Sequence, residues 1–367
     1  MALNYKHADF KEFENSTQDF LVNFGNGILP LANISYLVNI ILSVCGLFIN
    51  IFHSMVLSRK SMINNVINVI LLGISVCDMV NLVVLANYCM DLWTGSGGYH
   101  ECDSPQGYLS TIISYHLRVF QDGTRRVSSW LGVLMASLRY LILRYALNAK
   151  YNFLSEAKFA WKCLLVAVAI STVMSSFWIV CIELVQYDTW VPLAKCGFPV
   201  NHSEPAHSYV YTKWFQEHPE VISTFMMTDG SMKVALSAFL PVLILLLIGE
   251  LRKVKKIQKN VSANLANVQS PNKTDYLTKL VLIMTFTNFL AEAPVGIGFV
   301  AEGVFADNNK LATIIKNLEA IASVFLTFNT TTHCFVCLAV STPYRNTVMD
   351  MLGYRKKHDV ISVTSKT

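Results

Sequence analysis

Apolar residues in this chain fall in long blocks rather than in short alternating stripes. Runs such as 37–49, 66–76, 163–170 and 236–248 are almost free of charge. A helix needs roughly 20 apolar residues to cross a hydrocarbon core ~30 Å thick, because backbone polar groups facing lipid must be satisfied within the segment. Seven stretches reach that length and predict helices over 34–57, 66–92, 109–143, 158–185, 226–251, 276–303 and 311–340. A more polar tail, 1–33, precedes them. After them, 342–355 mixes basic residues with Val348, Met349, Met351 and Leu352, the pattern of a helix lying on a membrane surface. The expected fold is an all-α membrane protein: a seven-transmembrane helix bundle with a short amphipathic eighth helix. Its regions are the tail 1–33, the membrane domain 34–341 and a terminal stretch 342–367.

Composition agrees with that pattern. The 367 residues are 53% hydrophobic and only 14% charged, with a mean hydropathy of +0.43. A soluble chain carries about 25% charged residues. Residues 1–33 hold Lys6, Asp9, Lys11, Glu12, Glu14 and Asp19 without an uninterrupted apolar core, so the first helix is expected to act as its own signal-anchor. No internal repeat or low-complexity tract interrupts the chain, and no helix carries paired metal ligands, a phosphate loop or a nucleophile–base set. An enzyme and a bound cofactor are therefore not expected.

The net charge of +5 points to membrane orientation rather than to nucleic acid, because of where it lies. Arg59, Lys60, Arg144, Lys150, Lys158, Arg252, Lys253, Lys255, Lys256, Lys259, Lys273, Arg345, Arg355, Lys356 and Lys357 flank one set of helix ends. The opposite loops hold Asp91, Glu101, Asp103, Asp188, Glu204, Glu217 and Asp307. Basic loops stay cytoplasmic, so the C-terminus is expected inside and the N-terminus outside, in a multi-pass protein of the plasma membrane. Sequons at Asn15 and Asn201 then fall outside as glycosylation sites. Asn33 lies close to the membrane, and Asn272 fits the same pattern on the cytoplasmic side. Of the cysteines, only Cys102 and Cys196 lie clearly in outer loops. An oxidising compartment would join them, the alternative being two free thiols.

Polar residues inside apolar helices are costly and each one needs a reason. Helix one holds Gly46 and Asn50, and helix two holds Asn68 and Asp78. Asn50 is a candidate donor to Asp78, with water or a sodium ion as alternatives and no other metal site in view. Helix three ends with Leu138, Arg139 and Tyr140. Pro241 and Pro294 interrupt helices five and six, helix seven carries Asn329 and His333, and the last segment opens Pro343-Tyr344-Arg345.

That ordered set resembles the rhodopsin-like G-protein-coupled receptors over essentially the whole chain. The strings Leu72-Gly73-Ile74-Ser75-Val76-Cys77-Asp78, Ser128-Ser129-Trp130-Leu131-Gly132-Val133-Leu134-Met135-Ala136 and Phe289-Leu290-Ala291-Glu292-Ala293-Pro294-Val295-Gly296 bring it nearest the nematode serpentine chemoreceptors of the Srw class. These are similar to receptors for FMRFamide-like peptides. The resemblance implies an extracellular ligand, a neuropeptide in the first place and a small chemical cue as the alternative, with a heterotrimeric G protein as the inner partner, within a lipid bilayer. It places Asn50, Asp78, Arg139, Tyr140, Pro241, Pro294, Asn329 and His333 in activation and coupling. Several positions depart from the pattern. Leu138 replaces the acidic residue before Arg139, and His333-Cys334-Phe335-Val336-Cys337 replaces Asn-Pro-x-x-Tyr. Glu292 stands at the helix-six tryptophan. Thr327 occupies the retinal-lysine position and Gln121 the amine-receptor aspartate position, which weighs against both of those ligands.

Helix three also carries Gln121, Asp122, Arg125 and Arg126 in its outer half. Asp122 can reach Arg125 or Arg126 at i,i+3 or i,i+4. Either these charges close a structural network with Glu292 of helix six, or one of them meets a ligand, with Asp229, Lys233, Lys316 and Glu319 ringing the pocket above. The expectation is both: Asp122 with one arginine is structural, and Glu292 with the other faces the ligand. Arg139 is expected to touch helix six at rest, the alternative being a charge snorkelling to the interface. A transporter or channel is the rival reading, since buried charge suits an ion path, but inverted repeats are missing. A light-driven pump would need a deep helix-seven lysine, and Lys316 is too near the outer end.

Overall fold

The computed structural model describes residues 5–96, 102, 104–105, 107–146, 148–199, 201–264, 273–305 and 308–354. Glu101, Asp103, Asn272, Asp307, Arg355, Lys356 and Lys357 lie outside that range, as do the side chains of Lys255, Lys259 and Lys273.

Among the described residues, seven helices are long and apolar enough to span a membrane. They are α1 (Asn15–Leu57), α2 (Val66–Ser96), α3 (Tyr108–Arg144), α4 (Ala157–Cys181), α5 (Pro219–Asn264), α6 (Lys273–Val304) and α7 (Asn309–Val340). A further helix, α8 (Thr342–Met351), follows a one-residue break at Ser341, whose hydroxyl accepts from the Tyr344 backbone N–H. The bundle closes because α1 packs on both α2 and α7, while α3 packs on α2, α4, α5 and α6. Its apolar core lies toward the Arg139 end, where Leu57, Ile70, Leu131, Met135, Leu247, Leu280 and Met284 are all buried. Side chains such as Leu165, Val173, Leu245 and Phe325 point outward instead, as lipid contact requires.

Gly46 sits where α1 meets α7, and a methyl there would collide with Thr331 Cγ2. That closeness lets Asn50 Nδ2, one turn on, donate to the Thr330 carbonyl across 3.2 Å. At the same end His53 and Tyr344 share a 2.7 Å hydrogen bond that anchors α8 to α1. Burial pushes the Tyr344 phenol pKa up, so the group stays neutral there.

Several boundaries differ from the expected ones, and α5 runs on to Asn264 rather than stopping at 251; three of the differences lie at the end opposite Arg139. First, α1 begins at Asn15 rather than at 34. Val22, Gly25, Ile28 and Ala32 form a buried stripe at helical spacing, so 15–33 extends the helix despite its polar residues. Second, α4 stops at Cys181, and the chain turns into strand β1 (Ile182–Trp190), antiparallel to β2 (Glu204–Tyr211). Third, α5 starts at Pro219, which suits the first turn of a helix because its missing N–H is not needed there.

The β1–β2 hairpin covers the bundle end opposite Arg139. Cys196 lies in its connecting turn and is disulfide-bonded to Cys102, ahead of α3. Tyr209 of β2 packs tilted against Tyr115 of α3 with ring centroids 4.5 Å apart, and its hydroxyl donates to the Thr111 carbonyl. Asn201 is exposed in this hairpin turn, and Asn15 is exposed at the start of α1. Asn33, by contrast, is half-buried in mid-helix, with Ser35 bonded to the Leu31 carbonyl.

The stretch from Tyr5 onward folds back onto this same end. Tyr5 N–H donates to Asn26 Oδ1 across 2.8 Å, and Asn26 Nδ2 donates to the Tyr5 carbonyl across 3.1 Å. The Tyr5 ring lies against Gly25, where an added Cβ would come within 2.7 Å of Tyr5 Cδ2. Gly25→Leu is therefore expected to expel Tyr5 and release this clasp. Amide hydrogen exchange should quicken over 15–26 and stay unchanged in α2 and α3; unchanged exchange at 15–26 would remove the clasp.

Candidate functional site

The described residues carry four charges, two of each sign, closed on one another between α3 and α5. Arg126 Nη2 lies 2.6 Å from Asp122 Oδ2, and Arg126 Nε lies 3.0 Å from Asp229 Oδ1. Lys233 Nζ lies 2.7 Å from Asp229 Oδ2 and 3.3 Å from Asp122 Oδ1. Each carboxylate thus bridges both cations, and the set is neutral. Helical spacing builds it, because Asp122 and Arg126 are i,i+4 on α3 while Asp229 and Lys233 are i,i+4 on α5. Arg126, 1% exposed, spends its remaining donors on α4, reaching Ser175 Oγ at 3.1 Å and Ser171 Oγ at 3.3 Å. Lys233 also lies over the Phe299 ring of α6, 3.5 Å from its centroid.

This arrangement decides which arginine Asp122 takes: Arg126. It also corrects the expected placement of Asp229, which does not ring an open pocket but closes the quartet, whereas Lys233 closes the quartet and lines the cavity as well. A charge left alone in this setting would be costly, and four alternating charges avoid that.

Beside the quartet runs a narrow cavity. Gln121, Arg125, Lys233 and Glu292 line its outer part, and Asp78, Asn329 and His333 its floor. Arg125 is half-buried and makes no ion pair among the described residues, unlike its neighbour Arg126. Glu292 lies within electrostatic reach of Arg125 and Lys233. Gln121 Nε2 donates to the Asn81 carbonyl across 3.2 Å. Lys316 and Glu319 do not line this cavity. Lys316 is exposed, with Nζ 3.9 Å from Glu302 Oε1, and Glu319 packs against Gly298.

At the floor the expected partner of Asp78 is replaced. Asn50 Nδ2 spends its hydrogens on the carbonyls of Gly46 and Thr330, and its Oδ1 accepts from Ser75. Asp78 Oδ1 instead accepts from Ser128 of α3 across 3.2 Å, and its Oδ2 stands 3.3 Å from His333 Nδ1. With an imidazole on one side, these residues fit a sodium ion poorly, since hard cations take oxygen ligands. Asn329 Nδ2 donates to Asn288 Oδ1 of α6 at 2.6 Å.

At the far end Arg139 is 5% exposed, which excludes a snorkelling interface charge. Its Nε and Nη2 donate to Thr278 Oγ1 of α6 at 2.9 and 2.8 Å. Tyr140 accepts from Arg144 Nη1 across 2.9 Å. Pro241 and Pro294 lie within α5 and α6, which continue through them.

The sequence matches the family described as serpentine type 7TM GPCR chemoreceptor Srw over residues 37–355. The chain belongs to that family. It is a G-protein-coupled receptor of seven membrane spans. Comparison with curated proteins gives no match. The family profile covers every spanning helix and α8, and in α1 it begins beyond the residues that hold the Tyr5 clasp.

Thr278 and Glu302 are among the residues of this receptor's site that escape a reading of the sequence, with Phe299 and Asn288. Thr278, the partner of Arg139, carries no signal, because a threonine in a helix is unremarkable. Glu302 does carry one: an acidic residue in the last turn of an apolar helix.

Asp229→Asn is expected to leave Arg126 and Lys233 sharing one carboxylate. That should cost on the order of 3–5 kcal/mol and lower both surface expression and the thermal midpoint in detergent. Arg125→Gln, which breaks no ion pair, should leave both measurements near wild type. Equal losses in the two variants would contradict the division between the arginines.

Proposed function

We propose that this receptor lies in the plasma membrane with the disulfide-bonded hairpin outside and the basic loops inside. It binds a charged, peptide-like ligand in the cavity bounded by Arg125, Lys233 and Glu292. The observation that carries this reading is the double position of Lys233, which belongs both to the buried quartet and to the cavity wall. An acidic ligand group meeting Arg125 competes with Asp122 and Asp229 for Lys233. The ligand then binds more tightly when α5 has shifted away from α3, and differential binding of that kind moves a population.

The shift reaches the inner end through α6. Lys233 rests on Phe299 of α6, and Arg139 holds α6 at Thr278. Once α6 moves, Arg139 leaves Thr278 and becomes available to the G protein. Asp78, His333, Asn288 and Asn329 form the polar floor that this motion rearranges. Asn50, Tyr140, Pro241 and Pro294 support it as helix contacts and helix-bending points. Asn15 and Asn201 face outside as glycan acceptors.

A small soluble chemical cue is the second reading, favoured by the family's description as chemoreceptors and by the modest cavity. A peptide should need the β1–β2 hairpin as well as the cavity, whereas a small cue should need only the cavity.

Two variants test the mechanism without a known ligand. Lys233→Met should raise basal nucleotide exchange per surface receptor by roughly fivefold or more, the scale of a typical coupling energy. Arg139→Ala should reach the surface yet drive almost no exchange, alone or combined with Lys233→Met. Unchanged basal exchange in Lys233→Met would remove the quartet from the switch, and normal signalling by Arg139→Ala would remove Arg139 from coupling.

A further inference from the structure

The floor of the cavity holds an acid and a base in contact. Asp78 of α2 and His333 of α7 are both buried, and Asp78 Oδ2 stands 3.3 Å from His333 Nδ1. Asp78 Oδ1 accepts from Ser128, but Oδ2 has no hydrogen-bond donor among the described residues. His333 Nε2 and Asn329 Oδ1, on the same cavity wall, are buried without a partner as well.

The surroundings supply Asp78 with no permanent cation. From α1, Asn50 spends its hydrogens on the carbonyls of Gly46 and Thr330, and His53 is bound through Nδ1 to Tyr344. Cys77, next to Asp78 on α2, is a buried thiol. From α3 and α6 come Ser128 and Asn288, with Arg125 and Glu292, of opposite sign, further out along the cavity. Lys233 of α5 is held in the quartet. Among the described residues, His333 alone makes an ion-pair contact with Asp78.

A carboxylate beside a neutral imidazole leaves one uncompensated charge in a medium that cannot solvate it. A single proton removes it, because imidazolium and carboxylate together are neutral. Histidine is also the side chain whose charge ordinarily changes between about pH 5 and 8. The proton has a route from one side. The cavity runs outward from this pair to Arg125 and Glu292, whereas toward Arg139 the bundle is filled by the apolar core around Leu131, Met135, Leu280 and Met284.

We propose that Asp78 and His333 form a proton-binding site reached from outside, through which extracellular acidification holds the receptor in its resting packing. Protonated His333 ties α7 to Asp78 on α2. One turn away on α7, Asn329 Nδ2 holds Asn288 Oδ1 of α6 at 2.6 Å, and Arg139 grips the same α6 at Thr278. Loss of the proton as the pH rises weakens the first link of that series and lets α6 move. The inference rests on the switch described under the proposed function and adds the proton as its regulator.

Two measurements on the full-length receptor test it, one of them independent of signalling. In cells with the cytosolic pH clamped, nucleotide exchange on a co-expressed G protein is read while the external pH is raised from about 6 to about 8, across the histidine range. Basal exchange per surface receptor should rise by roughly fivefold, the scale of a typical coupling energy. Lys233→Met should show the same rise from a higher baseline. His333→Asn and Asp78→Asn should each abolish the pH dependence, and His53→Gln should keep it; His333→Gln takes the place of an asparagine variant that fails to reach the surface. In detergent, a double-mutant cycle of Asp78→Asn and His333→Asn on the thermal midpoint should show coupling at the lower pH that falls by at least about half at the higher one. An undiminished pH response in His333→Asn, its loss in His53→Gln, or a coupling equal at both pH values would overturn the site. Coupling that depends on pH, with exchange that does not in either wild type or Lys233→Met, would overturn its regulatory role. Unchanged basal exchange in Lys233→Met would instead count against the switch, and the detergent cycle would still decide the proton site.

Discussion

Ionised groups in a medium that cannot solvate them set the terms for this structure. An isolated charge in a bilayer interior is expensive, and pairing is what makes it tolerable. Asp122, Arg126, Asp229 and Lys233 answer that demand by alternating sign around one closed set. Because its members come from α3 and α5, and Arg126 also reaches Ser171 and Ser175 on α4, the set fixes three helices together. The cavity exists beside it because Arg125, one residue along α3, points elsewhere.

The same constraint explains what moves. A network of four partners offers alternatives that an apolar contact does not. Lys233 can exchange one carboxylate for another without ever being left unpaired. An apolar core would have to open a void to make the same shift, and interiors resist that. The softer, polar part of the bundle accordingly lies in the outer half and along the cavity floor, from Asp122 to Asp78 and His333. The dense apolar core surrounds Arg139. Lys233 against Phe299, and Arg139 against Thr278, connect both halves through α6.

The fold was legible in the sequence because lipid imposes length and apolarity on each span, and seven blocks met both. The early start of α1 was not, because its buried stripe of Val22, Gly25, Ile28 and Ala32 is embedded in polar residues that lengthwise hydropathy averages away. Nor was the hairpin at Ile182–Tyr211, which depends on tertiary contact with Tyr115 and on the Cys102–Cys196 bond. Within the site, spacing showed that Asp122 could reach Arg125 or Arg126, but only the azimuth of α5 selects Arg126. Asn50 looked like the partner of Asp78 by its residue type. The close approach of α1 and α7 at Gly46 gives it Thr330 instead, and leaves Asp78 to Ser128 and His333.

The central claim is that the quartet acts as one unit whose members are worth more together than apart. A double-mutant cycle on thermal unfolding in detergent tests it, using Asp122→Asn, Lys233→Met and the two combined. Each single change leaves three charges with unequal sign, whereas the double leaves Arg126 and Asp229 as an intact neutral pair. The account predicts that the double variant is less destabilised than the sum of the singles by at least about 1 kcal/mol. Strictly additive losses would show four independent charges and contradict it.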